Sequence, residues 1–289
     1  MTSSTVVRRS ARVALSRLID YAGLFPPAQL PMRDARAEYA QARNGPLQWM
    51  LGRFILRASS LPDWDDGATP LSLILDDPAI GAGALRRTGA RVEVLELPAP
   101  TPPYNSTLSQ LRRRLSQEGL SQLPAYVEVA RAQSPGEVHA LLRMLADAGI
   151  GAKLRCGGVT PDAFPSVDEV ADFLIAANEA SVAFKATAGL HHPVRRRDRT
   201  TGFMMHGFLN LLVAGALAGC VERETLREVL AEEEPAAFSF DESSLRWRHR
   251  AISISELESL RRNRFISYGS CSFAEPVQDL TALGILPCP

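Results

Sequence analysis

The feature that most limits the fold of this chain is a repeated alternation of short apolar runs with longer amphipathic stretches. The short runs have the length of buried strands, and the stretches between them have the spacing of helices. This alternation is typical of βα units and predicts a parallel sheet. Eight runs are predicted to be strands, at residues 17–23, 49–56, 71–76, 91–97, 125–130, 152–155, 182–186 and 264–269.

Most of the connections are predicted to be helices, at residues 32–43, 79–87, 107–118, 135–148, 167–180 and 277–283. Ser134 and Ser166 are placed to cap two of them. Eight strands joined in this way favour a closed (β/α)8 barrel, a single domain over residues 1–289 with its chemistry at the carboxyl ends of the strands. A doubly wound open sheet is the alternative, but the chain has no GxGxxG or GxxxxGK[ST] motif.

An insertion at about residues 193–263 separates the seventh and eighth predicted strands. It contains an apolar segment, an acidic helix, a hairpin and a further helix. His206 and Asn210 interrupt the apolar segment and charged residues flank it, so a buried or subunit-interface helix is predicted rather than a membrane span. Such an apolar insertion is compatible with a homodimer.

The charge balance and the cysteines limit the class of protein. Thirty-two basic residues balance thirty-two acidic ones, which argues against nucleic acid or an anionic membrane as the main partner. The four cysteines have no metal-type spacing and suit reduced thiols, which predicts a cytoplasmic location. No metal and no organic cofactor is expected.

Lys153 and Lys185 are the only lysines in the chain, and the other thirty basic residues are arginines. Each lysine lies near the end of a predicted strand, and the two strands are consecutive. An unprotonated lysine amine can form a Schiff base, which arginine cannot. If both side chains point inward, like-charge crowding is expected to lower one pKa. The pair therefore predicts iminium chemistry on a carbonyl compound. Two surface cations that escaped replacement are the alternative.

Proton transfer requires acids and bases, and four carboxylates lie in predicted strands: Asp20, Glu93, Glu96 and Glu128. Glu93 and Glu96 are three positions apart, so only one of them would face the lumen of a regular strand. Glu93 is predicted to form a proton-transfer pair with Lys153. The alternative is that these acids only balance inward arginines such as Arg53 and Arg155.

Six segments in order resemble the deoxyribose-phosphate aldolase family and related class I aldolase barrels. They are LIDYAGLFPPA, WMLGRFIL, VEVLELP, KLRCGG, FKATAGL and YGSCSF. The resemblance implies that Lys153 is the Schiff-base lysine, that Lys185 lowers its pKa, and that Glu93 and Asp20 are catalytic carboxylates. In an alternative register, Lys185 is the nucleophile.

The resemblance and the positions of polar residues imply an anion-binding mouth. The substrate would be a small carbonyl compound with a phosphate or carboxylate group. The predicted substrate-binding residues are Arg53, Glu128, Arg155, Gly157, Gly189, His191, His192, Ser270 and Ser272. The family's small hydroxyl residues after the first lysine are replaced here by Leu154, Arg155 and Cys156. This departure points away from deoxyribose phosphate itself.

Two other functions fit the same residues. In one, a barrel transferase or decarboxylase uses both lysines as cations that hold an anionic substrate. In the other, a barrel without catalytic activity binds a metabolite.

Overall fold

The computed structural model describes residues 7–76, 85, 88–130 and 134–287. Eight parallel strands form a closed barrel in the order β1-β13-β7-β6-β5-β4-β3-β2, with β1 paired to both β2 and β13. The barrel strands are β1 (Ile19–Tyr21), β2 (Leu51–Arg57), β3 (Leu71–Ile74), β4 (Val92–Leu97), β5 (Ala125–Glu128), β6 (Gly151–Arg155), β7 (Phe184–Thr187) and β13 (Phe265–Ser270). The predicted (β/α)8 barrel is therefore confirmed.

Helices follow or precede most of the barrel strands. The described α-helices are Arg9–Leu15, Met32–Asn44, Tyr104–Gln117, Pro135–Asp147, Val167–Glu179, Phe208–Leu217, Arg223–Ala231, Ile254–Asn263 and Ala274–Ala282. Ser134 and Ser166 each cap a helix, as predicted, and each forms a capping box with a glutamate three residues later. The helix predicted at 79–87 falls almost wholly outside the described residues.

The chain between β7 and β13 forms a small unit against one side of the barrel. Two short strands pair antiparallel, β8 (Arg196–Arg197) with β9 (Met204–Met205). A three-stranded antiparallel sheet contains β10 (Phe238–Phe240), β11 (Ser244–Trp247) and β12 (Arg250–Ser253). The apolar helix Phe208–Leu217 lies between them in sequence.

The apolar helix is buried within the chain itself. Its first seven residues, Phe208 to Ala214, are all buried, and Phe208 stacks on Tyr268 of β13. Across the described ranges, Val159 and Leu283 are the exposed large apolar side chains. The apolar segment is thus covered by Tyr268 and by neighbouring helices of the same chain, and the homodimer stays a prediction without this support. None of the described helices combines the length and the apolar character needed to cross a membrane.

Two polar side chains on this segment have internal partners. Asn210 accepts a hydrogen bond from the Arg195 amide and donates to the carbonyls of Val229 and Glu232. His206 Nε2 lies 2.7 Å from the Pro165 carbonyl, and burial lowers the pKa of His206 to about 4. His206 is thus a neutral, hydrogen-bonded core residue.

The cysteines are described at three of their four positions. Cys156, Cys220 and Cys271 are free thiols, and Cys288 lies outside the described residues. The cytoplasmic location inferred from the cysteines stays a prediction.

Replacement of Asn210 by leucine is expected to lower the free energy of unfolding by about 3 kcal/mol or more. The reason is that the Arg195 amide and the Glu232 carbonyl lose this partner, and the Val229 carbonyl keeps only the Glu232 amide at 3.3 Å, at about 1–3 kcal/mol for each unsatisfied group. Urea denaturation measures the change. Asn263→Leu, at an exposed helix end, is the control and should change the stability by less than about 0.5 kcal/mol. Equal stability of the two variants would contradict the assignment.

Candidate active site

The two lysines lie side by side inside the barrel. Lys153 on β6 and Lys185 on β7 are direct partners in the strand register. Lys185 is 1% exposed and Lys153 is 7% exposed. Parallel partners on neighbouring strands point the same way, so both side chains project into the lumen. The predicted inward geometry of the pair is therefore present.

Lys185 is held by three oxygen atoms. Its Nζ lies 2.8 Å from Asp20 Oδ2, 2.6 Å from Glu96 Oε1 and 2.7 Å from Ser72 Oγ. Burial alone lowers the pKa of Lys185, but the negative charges of Asp20 and Glu96 outweigh burial and raise it above its ordinary value. Lys185 is therefore not the amine whose pKa falls. Its ammonium group remains charged and fixed.

Lys153 lies closer to solvent and contacts two carboxylates. Its Nζ is 3.2 Å from Glu96 Oε2 and 3.2 Å from Glu128 Oε2. The second oxygen of Glu128 lies 3.6 Å from Arg155 Nη1. Glu128 and Arg155 end their strands, and their side chains are 23% and 44% exposed. The outer side of the lysine pair is thus accessible through these two residues.

Glu96 connects the two lysines, with one carboxylate oxygen on each. Its Oε1 also accepts a hydrogen bond of 2.7 Å from the hydroxyl of Ser72. Burial alone raises the pKa of Glu96, but Lys185 and Lys153 outweigh burial and hold it well below its ordinary value. Like-charge repulsion between the lysines is therefore offset by a carboxylate placed between them.

Glu93 is not part of this cluster, so the predicted Glu93–Lys153 pair is wrong. Glu93 lies three residues, or about 10 Å of strand, before Glu96. Its carboxylate binds Arg17, Arg53 and Arg91, at 2.6, 3.1 and 2.8 Å. It therefore lies toward the amino-terminal end of the barrel.

An irregularity in β4 breaks the alternation from which only one of the two glutamates was predicted to face the lumen. Leu71 of β3 pairs with Val92, but the next residue, Ser72, pairs with Val94. The extra residue on β4 is Glu93, and such a bulge breaks the period of two on which the prediction depended. From Val94 onward the register is regular again, and Glu96 shares a face with Ser72 and reaches the lysines.

Asp20 is in the cluster as predicted, whereas Arg53 is not at the mouth. Asp20 Oδ1 accepts a 2.7 Å hydrogen bond from the Arg53 amide, and Oδ2 accepts one of 2.7 Å from Ser267. A Cβ at Gly52 would lie 2.2 Å from Asp20 Oδ1, so only glycine fits beside this carboxylate. The Arg53 guanidinium binds Asp20 and Glu93. The substrate-binding role predicted for Arg53 is therefore wrong, because its charge is used inside the barrel.

The two histidines after β7 are bound to the last helix. His191 Nδ1 lies 3.0 Å from Glu275 Oε2, and His192 Nδ1 lies 2.7 Å from Asp279 Oδ2. Burial alone lowers the pKa of His191, but hydrogen bonds to Cys271 and Glu275 outweigh it and raise the pKa to about 10. These contacts join the loop after β7 to the helix Ala274–Ala282. A substrate role for either imidazole stays a prediction.

The glycines and serines predicted at the mouth are engaged in loop structure. A Cβ at Gly157 would lie 2.8 Å from Gly189 Cα, and Gly189 has a φ of +67°. The loops after β6 and β7 therefore touch through these two glycines. Ser270 Oγ donates to the Ser272 carbonyl, and Ser272 Oγ accepts from the Glu275 amide. Both hydroxyls thus shape the turn into the last helix, and anion binding by these residues stays a prediction.

Sequence reasoning missed three residues of the cluster or gave them a smaller role. The sequence analysis prefers Glu93 to Glu96 as the catalytic carboxylate and gives no role to Ser72 or Ser267. A serine within an apolar strand segment was the available signal, because a buried hydroxyl needs a hydrogen-bonding partner. Both serines donate to a carboxylate of the cluster.

Comparison with known proteins gives structural neighbours only. No protein-family model matches the chain, and no curated protein matches it. A solved structure described as QR15, an aldolase, is 12% identical with a TM-score of 0.45, and the match covers 62% of this chain and 83% of that one.

Two archaeal fructose-1,6-bisphosphate aldolase structures are each 14% identical to this chain, with TM-scores of 0.42 and 0.44. The matches cover 78% of this chain in both cases, and 94% and 97% of the aldolase chains. In the first of these structures, the catalytic lysine is covalently bound to the carbinolamine intermediate of the substrate.

Replacement of Glu96 by glutamine is expected to lower the free energy of unfolding at pH 7 by about 3–5 kcal/mol, because two buried ammonium groups lose a shared partner. Asp20 and Glu96 have folded-state pKa values below their ordinary ones. Their stabilisation is present above the ordinary carboxylate pKa and is lost as the pH falls below about 4.

Urea denaturation between pH 7 and pH 3 tests both expectations. The Glu96→Gln variant should lose less stability than the wild type over the acid range. Glu228→Gln, on an exposed helix face, is the control and should follow the wild-type curve. A variant as acid-sensitive as the wild type would show that Glu96 is not a main source of the pH dependence.

Proposed function

We propose that this protein is a class I aldolase-like lyase that forms a Schiff base between Lys153 and a small carbonyl compound. One observation carries the proposal. A lysine amine at the accessible side of a buried cluster has two carboxylates within hydrogen-bonding distance, while a second lysine behind it is fixed by carboxylates of its own.

The contacts favour Lys153 over Lys185 as the nucleophile. Lys185 is enclosed by Asp20, Glu96 and Ser72, and its raised pKa keeps it protonated. An amine must be unprotonated and must reach the carbonyl carbon in order to attack. Lys153 is closer to solvent than Lys185 and has fewer hydrogen-bonding partners. The alternative in which Lys185 attacks would require its removal from three partners.

The first step needs a base, and Glu128 is suited to it. Glu96 is shared between both lysines and Ser72, and its low pKa keeps it ionised as a structural anion. Glu128 is partly exposed and contacts Lys153 directly. In this mechanism Glu128 accepts a proton from the Lys153 ammonium and the free amine adds to the carbonyl carbon. Glu128 returns this proton to the hydroxyl group of the carbinolamine, which leaves as water and gives the iminium.

The iminium is the electron sink for the carbon–carbon step. Glu128 removes the proton from the hydroxyl group on Cβ, the bond between Cα and Cβ breaks, its electron pair forms an enamine, and the aldehyde product leaves. Glu128 then gives that proton to the enamine carbon, and water releases the second product from the lysine.

Arg155 is the residue best placed to select an anionic substrate. Its guanidinium is 44% exposed at the end of β6, next to Glu128. Guanidinium groups bind phosphate and carboxylate through paired hydrogen bonds. The proposed substrate is therefore a small aldehyde or ketone with a phosphate or carboxylate group.

The rival in which both lysines hold an anion is disfavoured by charge. Asp20, Glu96 and Glu128 already contact the two ammonium groups, so little positive charge remains for a substrate. A barrel that only binds a metabolite predicts that Lys153→Arg keeps its ligand and that no aldehyde is turned over.

Borohydride reduction in the presence of aldehydes and keto acids is expected to give a stable adduct on Lys153. The chain has two lysines, so peptide mass spectrometry has to distinguish only Lys153, Lys185 and the N-terminal amine. Lys153→Arg is the control and should give no lysine adduct, because arginine remains protonated. An adduct confined to Lys185 would reverse the assignment of the nucleophile. The absence of any substrate-dependent adduct would exclude the Schiff-base mechanism.

Replacement of Glu128 by glutamine is expected to slow formation of the trapped adduct by about 100-fold or more, the usual effect of losing a general base. The rate is measured by quenching with borohydride at successive times. Glu228→Gln serves again as the control and should react at the wild-type rate. A Glu128→Gln rate within twofold of the wild type would assign the proton transfer to another group.

A further inference from the structure

The amino-terminal end of the barrel, opposite the lysine pair, has a cavity lined by four arginines. Arg17 and Arg91 come shortly before β1 and β4, while Arg12 and Arg43 lie on the first two helices. The cavity has a volume of about 520 Å³, and none of the residues that line it carries a carboxylate. We call this cavity, defined by the four arginines, the arginine groove.

The positive charge of the arginine groove is only partly balanced. Arg17 and Arg91 share the carboxylate of Glu93. Glu93 also binds Arg53, whose guanidinium has Asp20 as a second partner, so Arg17 and Arg91 share less than one negative charge. The chain as a whole has a formal net charge of zero, so this excess of positive charge is local.

The other two guanidinium groups have neutral partners. Arg12 lies over the ring of Trp49, 4.7 Å from its centroid. Arg43 is 3.4 Å from the hydroxyl of Thr69. No carboxylate in the described ranges lies within 4 Å of either guanidinium. Both side chains are exposed, and both line the same cavity.

We propose that the arginine groove binds a small phosphate-bearing anion with two or more negative charges, such as pyrophosphate or a phosphate ester. Guanidinium groups bind phosphate through paired, charge-assisted hydrogen bonds, and four of them line one space here. The volume falls in the range of small-molecule sites, about 300–1,000 Å³, which favours a small ligand over a macromolecule. The inference does not depend on the proposed function, because the site lies at the other end of the strands.

Isothermal titration calorimetry with pyrophosphate at low ionic strength tests the proposal. The groove variant combines Arg12→Gln with Arg43→Gln, which removes the two charges without releasing Glu93 from its partners. Its Kd is expected to rise at least tenfold. The matched control combines Arg112→Gln with Arg113→Gln, two exposed positions on the helix Tyr104–Gln117. This control and Lys153→Met should both keep the wild-type Kd.

Four results would overturn the proposal. They are no pyrophosphate binding by the wild type at millimolar concentration, a wild-type Kd in the groove variant, an equal loss of affinity in both arginine double variants, and a loss confined to Lys153→Met. The third would indicate a response to overall charge, and the fourth would move the anion to the lysine cluster. Circular dichroism checks that each variant is folded. If the groove variant is not, Arg43→Gln alone should raise the Kd at least threefold.

Discussion

The cluster of lysines and carboxylates inside the barrel depends on one carboxylate, Glu96, which lies between two buried ammonium groups. A buried charge is stable only when it has a partner of opposite sign and its remaining hydrogen bonds are made. Glu96 provides one oxygen to each lysine, and Ser72 occupies the further hydrogen-bonding position. Without this arrangement the lysine pair would be a source of repulsion inside the barrel. With it, Lys185 is fixed and Lys153 is left at the accessible edge.

The same arrangement divides the cluster into a fully buried part with many hydrogen bonds and a part that is nearer to solvent. Lys185 and Asp20 are fully buried, and the hydroxyl groups of Ser72 and Ser267 also bind the carboxylates. Lys153 and Glu128 lie toward the carboxyl ends of the strands and have fewer partners. In the proposed mechanism, a proton moves between Lys153 and Glu128 at the solvent-accessible side of the cluster, while the charges of Lys185, Asp20 and Glu96 stay constant. A Schiff-base enzyme needs this separation, because its nucleophile must lose and regain a proton in each cycle.

The sequence predicted the barrel and the lysine pair because both follow from local patterns. Strand and helix alternation is visible in short windows, and the rarity of lysine singled out Lys153 and Lys185. The choice of Glu93 over Glu96 followed the family resemblance and was wrong, and local patterns could not correct it because the bulge in β4 depends on the register with β3. The prediction that Arg53 binds substrate was wrong for a similar reason. Its partners Asp20 and Glu93 lie on two other strands, so they are not visible in the sequence around Arg53.

The apolar segment that suggested a dimer shows a different limit of prediction from sequence. An apolar segment signals that something covers it, but not whether the cover is another chain or the same one. Here the helix Phe208–Leu217 is covered mainly by other helices of the same chain. The sequence likewise does not show what His191 and His192 contact. Their carboxylate partners on the last helix are more than eighty residues away in sequence.

The contact between Gly157 and Gly189 has a practical meaning for the design of variant libraries at this end of the barrel. These glycines lie where the backbones leaving β6 and β7 meet, and any larger residue would wedge the two loops apart. Libraries that randomise all the loops at the carboxyl ends of the strands would therefore contain many variants in which β6 and β7, the strands of the two lysines, are displaced. Diversity is better introduced at Arg155 and along the exposed stretch around Val159, where a new side chain has room and the pair of amines keeps its spacing.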